Sequence, residues 1–238
     1  MTKLLYLENQ DLFTTTAKIK HIHSDDRGFY IILDQTLFYP QGGGQPADQG
    51  NIKTKNHLFT IYDVRNVNSE IRHYTTTKTD ILNNESAIIE ITKARRLLNT
   101  RYHSAGHLIA SLVEKLSPTM QAVKGHQFPE EAYVEFLEMP DIDPSSFLMQ
   151  LQKELSRIIT SGADVKTLNL DSTTAKKIMT NLPYDLPMNK ELRICKIAEF
   201  DPTPCGGTHV TNLKQIGNLL VIKCKSKKGR TKIFYEVN

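Results

Sequence analysis

Short stretches of alternating hydrophobic and polar residues occupy the first ninety positions of the chain. Alternation predicts β-strands, because successive side chains of a strand point to opposite faces of a sheet. Gly, Asn and Asp turn residues separate the stretches, and no helical periodicity of useful length lies between them. The predicted strands cover 17–23, 28–33, 51–64, 70–77 and 87–92. Short strands joined by such turns favour a small barrel or a sandwich.

Helical periodicity begins after Thr92. Apolar residues recur at three- and four-residue spacing and predict an amphipathic helix over 93–116, with Thr92 as its cap and Ser117-Pro118 at its end. Asp143-Pro144 is typical of a helix start and predicts a second helix over 145–161. A shorter helix over 172–181, a hairpin of strands over 123–137 and closing strands over 193–200, 217–225 and 231–237 complete the pattern. The fold class predicted is α+β, with an all-β module over 1–90 followed by an α+β domain over 91–238.

Composition excludes several classes of protein. Hydrophobic residues make up 39% and charged residues 24% of the 238 positions, which is typical of a folded chain. No apolar run approaches the length of a membrane span and no secretory signal is evident, so we expect no membrane partner. Three cysteines are too few for a disulfide framework, which favours a reducing compartment such as the cytoplasm and a metal-binding or chemical role for cysteine.

The net charge of +4 permits a nucleic-acid partner without requiring one. Positive charge is concentrated in two acid-free segments, between Glu90 and Glu114 and between Asp201 and Glu236. A solvated surface explains any single lysine equally well. Two basic segments that flank candidate metal ligands fit a phosphate backbone better.

Two pairs of residues have the spacing of metal ligands. His103 and His107 are four residues apart in the predicted long helix, so both imidazoles lie on one face. Cys205 and His209 are also four apart, around two glycines that permit a tight turn. Two such pairs form a ligand set that suits zinc, in either a structural or a catalytic site. Ser104 stands where a zinc peptidase needs glutamate, which excludes peptide hydrolysis.

A glycine-rich segment over 38–50 contains Gly42, Gly43 and Gly44 in succession, followed by Gln45. Glycines allow a ligand or another backbone to come close, and they leave amide N–H groups available to oxyanions. A tight β-turn explains the pattern equally well. No lysine and hydroxyl residue follow as in a phosphate-binding loop, and no dinucleotide fingerprint matches.

Two motifs of the chain resemble the paired metal motifs of alanyl-tRNA editing domains. They are His103-Ser-Ala-Gly-His107-Leu-Ile and Cys205-Gly-Gly-Thr-His209-Val. These domains occur in alanyl-tRNA synthetases, more distantly in threonyl-tRNA synthetases, and as free-standing AlaX proteins. The segment over 38–50 is similar to the glycine motif of the longer AlaX type, which lies in an N-terminal β-barrel. Ile71-Arg72-His73 and 227–230 also resemble family patterns. Because 238 residues leave no room for an aminoacylation domain, we expect a free-standing editor.

The resemblance implies an α+β editing domain of the alanyl/threonyl-tRNA synthetase type and a trans-editing hydrolase. Its expected partner is the acceptor end of tRNA(Ala) carrying a wrong amino acid, serine first and glycine as an alternative. The zinc ligands implied are His103, His107, Cys205 and His209. Zinc would either activate a bound water or hold the substrate's amino group or carbonyl, and both alternatives stay open.

No side chain is assigned as general base, because neither motif contains a suitable carboxylate. The residues predicted to contact substrate are Gly42, Gly43, Gly44, Gln45 and Thr208, the last two also as support for the chemistry. The residues predicted to contact tRNA are Arg95, Arg96, Arg101, Lys225, Lys227, Lys228 and Arg230. Gly106, where many relatives carry a bulkier residue, is interpreted as leaving room beside the metal.

Two other functions compete with this one. A tRNA-binding module with a purely structural zinc would bind without turnover, and an editor of another tRNA, such as threonine tRNA, would share the chemistry. The histidine His126 is interpreted as structural, and Tyr133 as a residue that packs in a strand and does not stack on bases.

Overall fold

A computed structural model describes residues 1–78, 84–140, 143–179 and 191–238. By their contacts they divide into two compact units, Met1–Gly42 with Pro46–Leu98, and Gly43–Gln45 with Asn99–Asn238. The predicted domain boundary near residue 90 stays a prediction. In the described part of the chain no helix is long and apolar enough to cross a membrane.

The first unit contains a closed β-barrel, as the strand pattern predicts. Its strands follow the order β2-β3-β7-β6-β5-β8 and are antiparallel to their neighbours. The bounds are β1 Lys3–Leu4, β2 Thr14–Asp25, β3 Gly28–Leu33, β4 Gln35–Thr36, β5 Gly50–Lys53, β6 Leu58–Val67, β7 Glu70–Thr75 and β8 Ser86–Ile91, with a 3₁₀ helix at Leu5–Leu7. Alternate residues such as Ile19, Leu33, Ile52 and Phe59 fill the interior and are almost fully buried.

The single strand predicted over 51–64 is wrong, because two strands and a turn occupy that stretch. The Thr54 N–H donates to the His57 carbonyl at 2.9 Å, and the Thr54 hydroxyl accepts from the N–H groups of Asn56 and His57. This local hydroxyl turn satisfies backbone groups that a continuous strand would have paired in its ladder. β5 and β6 therefore form a hairpin.

The long helix α1 spans Lys93–Leu116, which confirms its predicted bounds. The Thr92 carbonyl accepts the first helical hydrogen bond from Arg96 at 3.1 Å, and the Ser117 N–H closes the last one on Val113 at 2.8 Å. Pro118 has no N–H with which to continue the helix. Both ends therefore follow from the sequence signals alone.

The second unit holds two sheets and the remaining helices. A four-stranded antiparallel sheet has the order β14-β15-β10-β9, and a three-stranded sheet has the order β11-β12-β13. Its elements are β9 Gln121–His126, β10 Tyr133–Leu137, α2 Pro144–Ser161, β11 Val165–Asp171, α3 Ser172–Ile178, β12 Glu191–Ile197, β13 Thr203–Pro204, β14 Leu219–Lys227 and β15 Arg230–Val237, with a 3₁₀ helix at Leu213–Ile216. The α+β fold with an N-terminal barrel is thus confirmed.

Most predicted elements of this unit are present, with bounds that differ by a few residues. The Asp143 side chain caps α2 by accepting from the Ser146 N–H at 3.0 Å, as its Asp-Pro start indicates. The predicted end of α3 lies partly outside the described residues, since 180 and 181 are not among them. β11 escaped prediction because only one of its seven residues, Val165, is buried, and no clean alternation results.

Candidate metal centre

Helix α1 supplies the first two side chains of the candidate centre. His103 and His107 lie one helical turn apart on the same face, and their ring centroids are 4.8 Å apart. His103 is fully buried, whereas His107 is half-buried. The helix therefore holds one imidazole inside the unit and the other nearer to solvent.

The other two side chains lie on the turn that follows β13. Arg193 of β12 holds this turn, because its Nη1 donates to the carbonyls of Cys205 at 2.7 Å and Gly207 at 2.8 Å, while its own carbonyl accepts from the Cys205 N–H. A Cβ at Gly207 would lie 2.0 Å from the His103 ring. Only glycine lets the turn approach the helix this closely.

The four donor atoms of His103, His107, Cys205 and His209 converge, all within 4.8 Å of one another. The Cys205 Sγ lies 3.2 Å from the His209 Nε2 and 3.6 Å from the His103 Nε2. Donors of a tetrahedral zinc site, at ordinary Zn–N and Zn–S lengths, are about 3.5 Å apart. The spacing and the donor types therefore fit a zinc ion with little rearrangement.

Each histidine ring is oriented by a hydrogen bond to its Nδ1. The His103 Nδ1 lies 3.2 Å from the Thr208 carbonyl, the His107 Nδ1 lies 3.0 Å from the Thr203 hydroxyl, and the His209 Nδ1 lies 3.2 Å from the Ser104 hydroxyl. Ring nitrogens bonded in this way fix the rotation of metal-binding imidazoles. The arrangement leaves Nε2 as the donor that each ring presents to the centre.

Ser104 and Arg193 were missed as contributors to the site. The Ser104 hydroxyl donates to the Thr100 carbonyl at 2.9 Å and accepts from the Val210 N–H at 3.0 Å, in addition to its contact with His209. It thereby joins the helix to the turn that carries Cys205. The sequence gives no signal for this role, because the bonded residues are 105 and 106 positions apart.

Burial keeps the imidazoles in the uncharged form that binds metals. Desolvation lowers the pKa of His107 to about 4 and lowers the pKa of His103 and His209 well below the ordinary value. Burial raises the pKa of the Cys205 thiol to about 11, opposed by a hydrogen bond from the Gly207 N–H. A bound cation reverses that last effect, because a coordinating thiol loses its proton.

Gln45 and Thr208, predicted to contact substrate, are fully buried and bonded to each other. The Gln45 Nε2 donates to the Thr208 hydroxyl and the Thr208 N–H donates to the Gln45 Oε1, both at 3.0 Å. The Thr208 hydroxyl is also 2.7 Å from the Thr100 hydroxyl. These bonds fix the turn between the two candidate ligands Cys205 and His209, and direct contact of either side chain with substrate stays a prediction.

The three glycines have different surroundings. Gly44 has a positive φ of 85°, and a Cβ there would lie 2.0 Å from the Gln127 Oε1 and 2.5 Å from the Gly125 carbonyl. The Gly44 carbonyl also accepts from the Gln127 N–H at 2.9 Å. Close approach of another backbone thus accounts for Gly44, while Gly43 is exposed and Gly42 half-buried. Contact of these glycines with substrate stays a prediction.

The interpretation of Gly106 is wrong. A Cβ at this position would lie 2.8 Å from the Tyr235 hydroxyl and 3.0 Å from the Gln127 side chain, so the missing side chain admits protein atoms and leaves no space beside the metal.

Among the described residues, both polar atoms of the Asn99 side chain and the Gln127 Oε1 are buried without a hydrogen-bond partner. Such atoms call for water or a ligand. Asn99 lies one turn before His103 on α1, and no sequence pattern predicts a role for it.

The predicted tRNA contacts divide into buried and exposed residues. Arg96 is only 1% exposed and its guanidinium donates to Asp48 and to the carbonyls of Gln10 and Leu37, so its assignment to tRNA is wrong. Arg95 is half-buried and donates to the Ala47 carbonyl. Arg101 is half-buried and donates to the Ile216 carbonyl and to Asn238. The four on β14, β15 and their turn are exposed: Lys225, Lys227, Lys228 and Arg230.

A groove of about 770 Å³ lies between α1, α2 and the segment that ends at β13. Thr203, the partner of His107, lines it, but none of the four candidate ligands does. Its walls carry both signs of charge, including Glu114, Lys115 and Asp201. The groove therefore lies next to the centre and contains none of its four candidate ligands.

Sequence comparisons agree with the geometry. Residues 6–96 match the family described as tRNA synthetases class II (A), and residues 192–232 match the threonyl and alanyl tRNA synthetase second additional domain. The chain is similar to the alanyl-tRNA editing protein AlaX-L of Pyrococcus horikoshii, with 28% identity over 95% of this chain and 55% of that protein. It is also similar to the alanine–tRNA ligase of Sulfurisphaera tokodaii, with 28% identity over 93% of this chain but only 24% of the ligase.

A relative of nearly the same extent is the alanyl-tRNA editing protein AlaX-M of Saccharolobus solfataricus. The identity is 30% over 100% of this chain and 99% of that protein. The fold, with its barrel and its second unit of synthetase editing type, agrees with this relationship. The chain therefore belongs to the alanyl-tRNA editing proteins of the AlaX type.

Proposed function

We propose that the chain is a trans-editing hydrolase that removes a wrong amino acid from tRNA(Ala). Its preferred substrate in this proposal is Ser-tRNA(Ala). The observation that carries the proposal is the convergence of His103, His107, Cys205 and His209. The names of AlaX-M and AlaX-L, both alanyl-tRNA editing proteins, support the substrate class. A site that must reject serine where alanine is wanted needs a second, hydrolytic step, because size alone discriminates poorly against an added hydroxyl.

Zinc is the metal that the ligand set suits, and the four converging residues would hold it. When bound, zinc supplies a Lewis acid that stabilises developing negative charge. The chain's own contribution is to orient the three imidazoles through Thr208, Thr203 and Ser104, and to hold the turn through Arg193. His107 and Cys205 are half-buried, which supports a centre that is open on one side, as a catalytic site needs.

The reaction is hydrolysis of an activated ester. The oxygen of one water bonds to the carbonyl carbon of the amino acid, the bond from that carbon to the ribose oxygen breaks, and the ribose oxygen takes a proton. An ester of this kind needs no covalent nucleophile from the protein. None of the four converging side chains is a carboxylate, so we assign no general base among them.

The remaining assignments follow from this function. We propose that the barrel module over 1–90 and the editing domain over 91–238 are separate domains, and that Gly42, Gly43, Gly44, Gln45 and Thr208 line the substrate end. We assign Lys225, Lys227, Lys228 and Arg230 to tRNA, because these cations are exposed, and we keep the half-buried Arg95 and Arg101 as further proposed contacts. With this substrate, we propose a cytoplasmic location.

Release of labelled serine from Ser-tRNA(Ala), with Ala-tRNA(Ala) measured in parallel, tests the proposal. Rapid loss of serine with alanine retained is the expected result. A zinc-loaded protein that binds tRNA but cleaves neither ester would show that the zinc is structural and would overturn the proposal. Faster cleavage of a mischarged threonine tRNA than of Ser-tRNA(Ala) would reassign the substrate.

A further inference from the structure

One face of the four-stranded sheet carries its charged and aromatic side chains in cross-strand rows. The strand register places His126, Tyr133, Phe234 and Lys223 side by side across β9, β10, β15 and β14. The next row is Lys124, Glu135, Lys232 and Lys225, and the third contains Leu137, Arg230 and Lys227. Residues paired directly across antiparallel strands share a face. We call this surface, with its six cations, the basic face.

The opposite face of the same sheet packs inward. Tyr235, which alternates with Phe234 along β15, is 1% exposed and donates its hydroxyl hydrogen to the Tyr102 carbonyl of α1 at 2.8 Å. Ile233 and Phe136 are also fully buried. The sheet thus has a clear inner side against the long helix, and the basic face is its outer side.

Aromatic rings hold the lysines of the basic face in place. The Lys232 ammonium lies 4.1 Å from the centre of the Tyr133 ring, and those of Lys223 and Lys225 lie 4.8 Å and 5.8 Å from the centre of the Phe234 ring. Each contact is a cation–π interaction. Lysines restrained in this way lose less conformational freedom when they bind an anion than freely rotating ones do.

Positive charge on this face greatly exceeds the negative charge opposing it. Glu135 lies in the middle row, with its carboxylate 2.8 Å from Arg230 and 3.8 Å from Lys232. Glu236 lies beyond the aromatic row and is exposed. Six cations against two carboxylates leave a net charge of about +4 on one sheet face, with spacings of about 5 Å across strands and about 7 Å along them. A regular array of this kind fits a repeating polyanion.

The rings are not arranged to stack on nucleic-acid bases. Tyr133 is only 7% exposed, and lysine ammonium groups cover the faces of Tyr133 and Phe234. Single-stranded RNA binds through open aromatic faces, whereas a double helix presents phosphates to cations. The face therefore favours a duplex backbone over unpaired bases.

We propose that the basic face docks the double-helical acceptor arm of the tRNA substrate through its phosphates. The inference rests on the proposed function and adds Lys124, Lys223 and Lys232 to the tRNA contacts. It assigns to Tyr133 and Phe234 the positioning of the lysines. The cations of the basic face on β14 and β15 contact phosphates, and such contacts do not depend on the base sequence of the duplex.

The first test is a binding titration with uncharged tRNA(Ala) at several salt concentrations. The triple variant Lys223→Gln, Lys225→Gln and Lys232→Gln should bind about 10- to 100-fold more weakly at about 0.1 M salt, with a salt slope smaller by about 2 to 3. The matched control replaces three exposed lysines on other elements of the same unit, Lys153, Lys177 and Lys214, by glutamine. Equal affinity in the two triple variants would overturn the proposal. Circular dichroism confirms that both variants are folded.

The second test separates docking from chemistry. With a seryl-charged acceptor-arm duplex, the triple variant should raise KM with kcat unchanged, while hydrolysis of a short seryl ester of adenosine stays at the wild-type rate. If the wild type releases serine from neither substrate, the proposed function fails, yet the binding titration still decides the docking surface. A fall in kcat on both substrates with unchanged KM would overturn the docking role.

The third test addresses the rings. Phe234→Leu keeps every charge and should weaken tRNA binding about 2- to 5-fold with the salt slope unchanged, because Lys223 and Lys225 lose their restraint.

Binding to phosphatidylserine vesicles that tRNA cannot displace would assign the face to a lipid surface and overturn the proposal.

Discussion

Both units of the molecule bury polar side chains, but in two different ways. In the first unit the Arg96 guanidinium donates from Nε, Nη1 and Nη2 to Asp48 and to the carbonyls of Gln10 and Leu37. In the second unit hydrogen bonds hold the Nδ1 atoms of three imidazoles, while the Nε2 atoms of the same rings converge with the Cys205 sulfur. We call the first the closed cluster and the second the convergent cluster.

The difference separates structural from functional polar groups. A buried charge whose nitrogens each donate to protein acceptors adds to the definition of the fold, and its burial keeps it away from a ligand. Metal-ligating atoms that face one another across a few ångströms repel each other through their lone pairs unless a cation lies among them. Such a set therefore indicates a metal. Burial alone does not distinguish the two, whereas the direction of the donor atoms does.

The largest effect is expected from breaking the convergent cluster. Cys205→Ala should remove the thiolate ligand, lower the zinc content and reduce deacylation of Ser-tRNA(Ala) by about 10³-fold or more, because a Lewis acid contributes several kcal/mol to such a reaction. Zinc content by mass spectrometry and serine release measure both. Cys224→Ala, a half-buried cysteine of β14, is the control and should keep metal and activity. Full activity in Cys205→Ala would refute the site.

Breaking the closed cluster should act on stability. Arg96→Met leaves the Asp48 carboxylate buried without its partner and should lower the free energy of unfolding by about 3–5 kcal/mol. Urea denaturation measures this, with Arg95→Met as the control, since Arg95 makes one bond to the Ala47 carbonyl and is half-buried. Replacing both charges, Arg96→Met with Asp48→Asn, keeps an acceptor for the Tyr39 N–H and should cost less than Arg96→Met alone. A double variant no more stable than the single one would contradict the ion-pair explanation.

The barrel contains a second closed polar group, and it predicts a dependence of stability on pH. His73 is fully buried between the Thr36 hydroxyl and the Ile31 carbonyl, both at 2.8 Å, and burial lowers its pKa to about 4 from an ordinary value near 6.5. The unfolded chain binds the proton more readily than the folded chain does. The part of the free energy of unfolding that depends on neutral His73 is therefore fully present above about pH 6.5 and is lost as the pH falls towards 4. The size is about 3 kcal/mol.

Urea denaturation at pH 7.5 and 4.5 checks that expectation. His73→Gln should lose about 2–3 kcal/mol of the wild-type difference between the two pH values. His57→Gln, at an exposed position of the same unit, should keep the wild-type difference. An unchanged pH dependence in His73→Gln would show that other groups cause it.

The smallest effect concerns the residue that orients His209. Ser104→Ala removes the hydroxyl that contacts the His209 Nδ1 and should weaken zinc binding by about 10- to 100-fold while leaving the four ligands in place. Competition with a chromogenic chelator measures the affinity. Ser111→Ala, two turns further along α1, should bind zinc like the wild type.

Sequence periodicity predicted much of the fold because the signals are local. Both ends of α1 and of β3 agree with the predicted bounds, since the signals are local, such as Pro118 after α1 and the turn at Asp25 and Arg27 before β3. The two ligand pairs were also visible, because four-residue spacing on a helix or around glycines places both side chains at one point. The strand predicted over 51–64 failed where a single threonine hydroxyl formed a turn.

By itself the sequence determined the α+β class, the long helix, the candidate ligands and the family resemblance, all of which depend on residues within a few positions of one another. Only the tertiary structure decided that Arg96 is buried, that Gln45 bonds Thr208 across 163 positions, and that Gly44 and Gly207 admit protein atoms. It also arranged Lys223, Lys225 and Lys232 over two rings on one sheet face. Contacts of this kind join residues far apart in the chain, and neither composition nor periodicity specifies which distant groups meet.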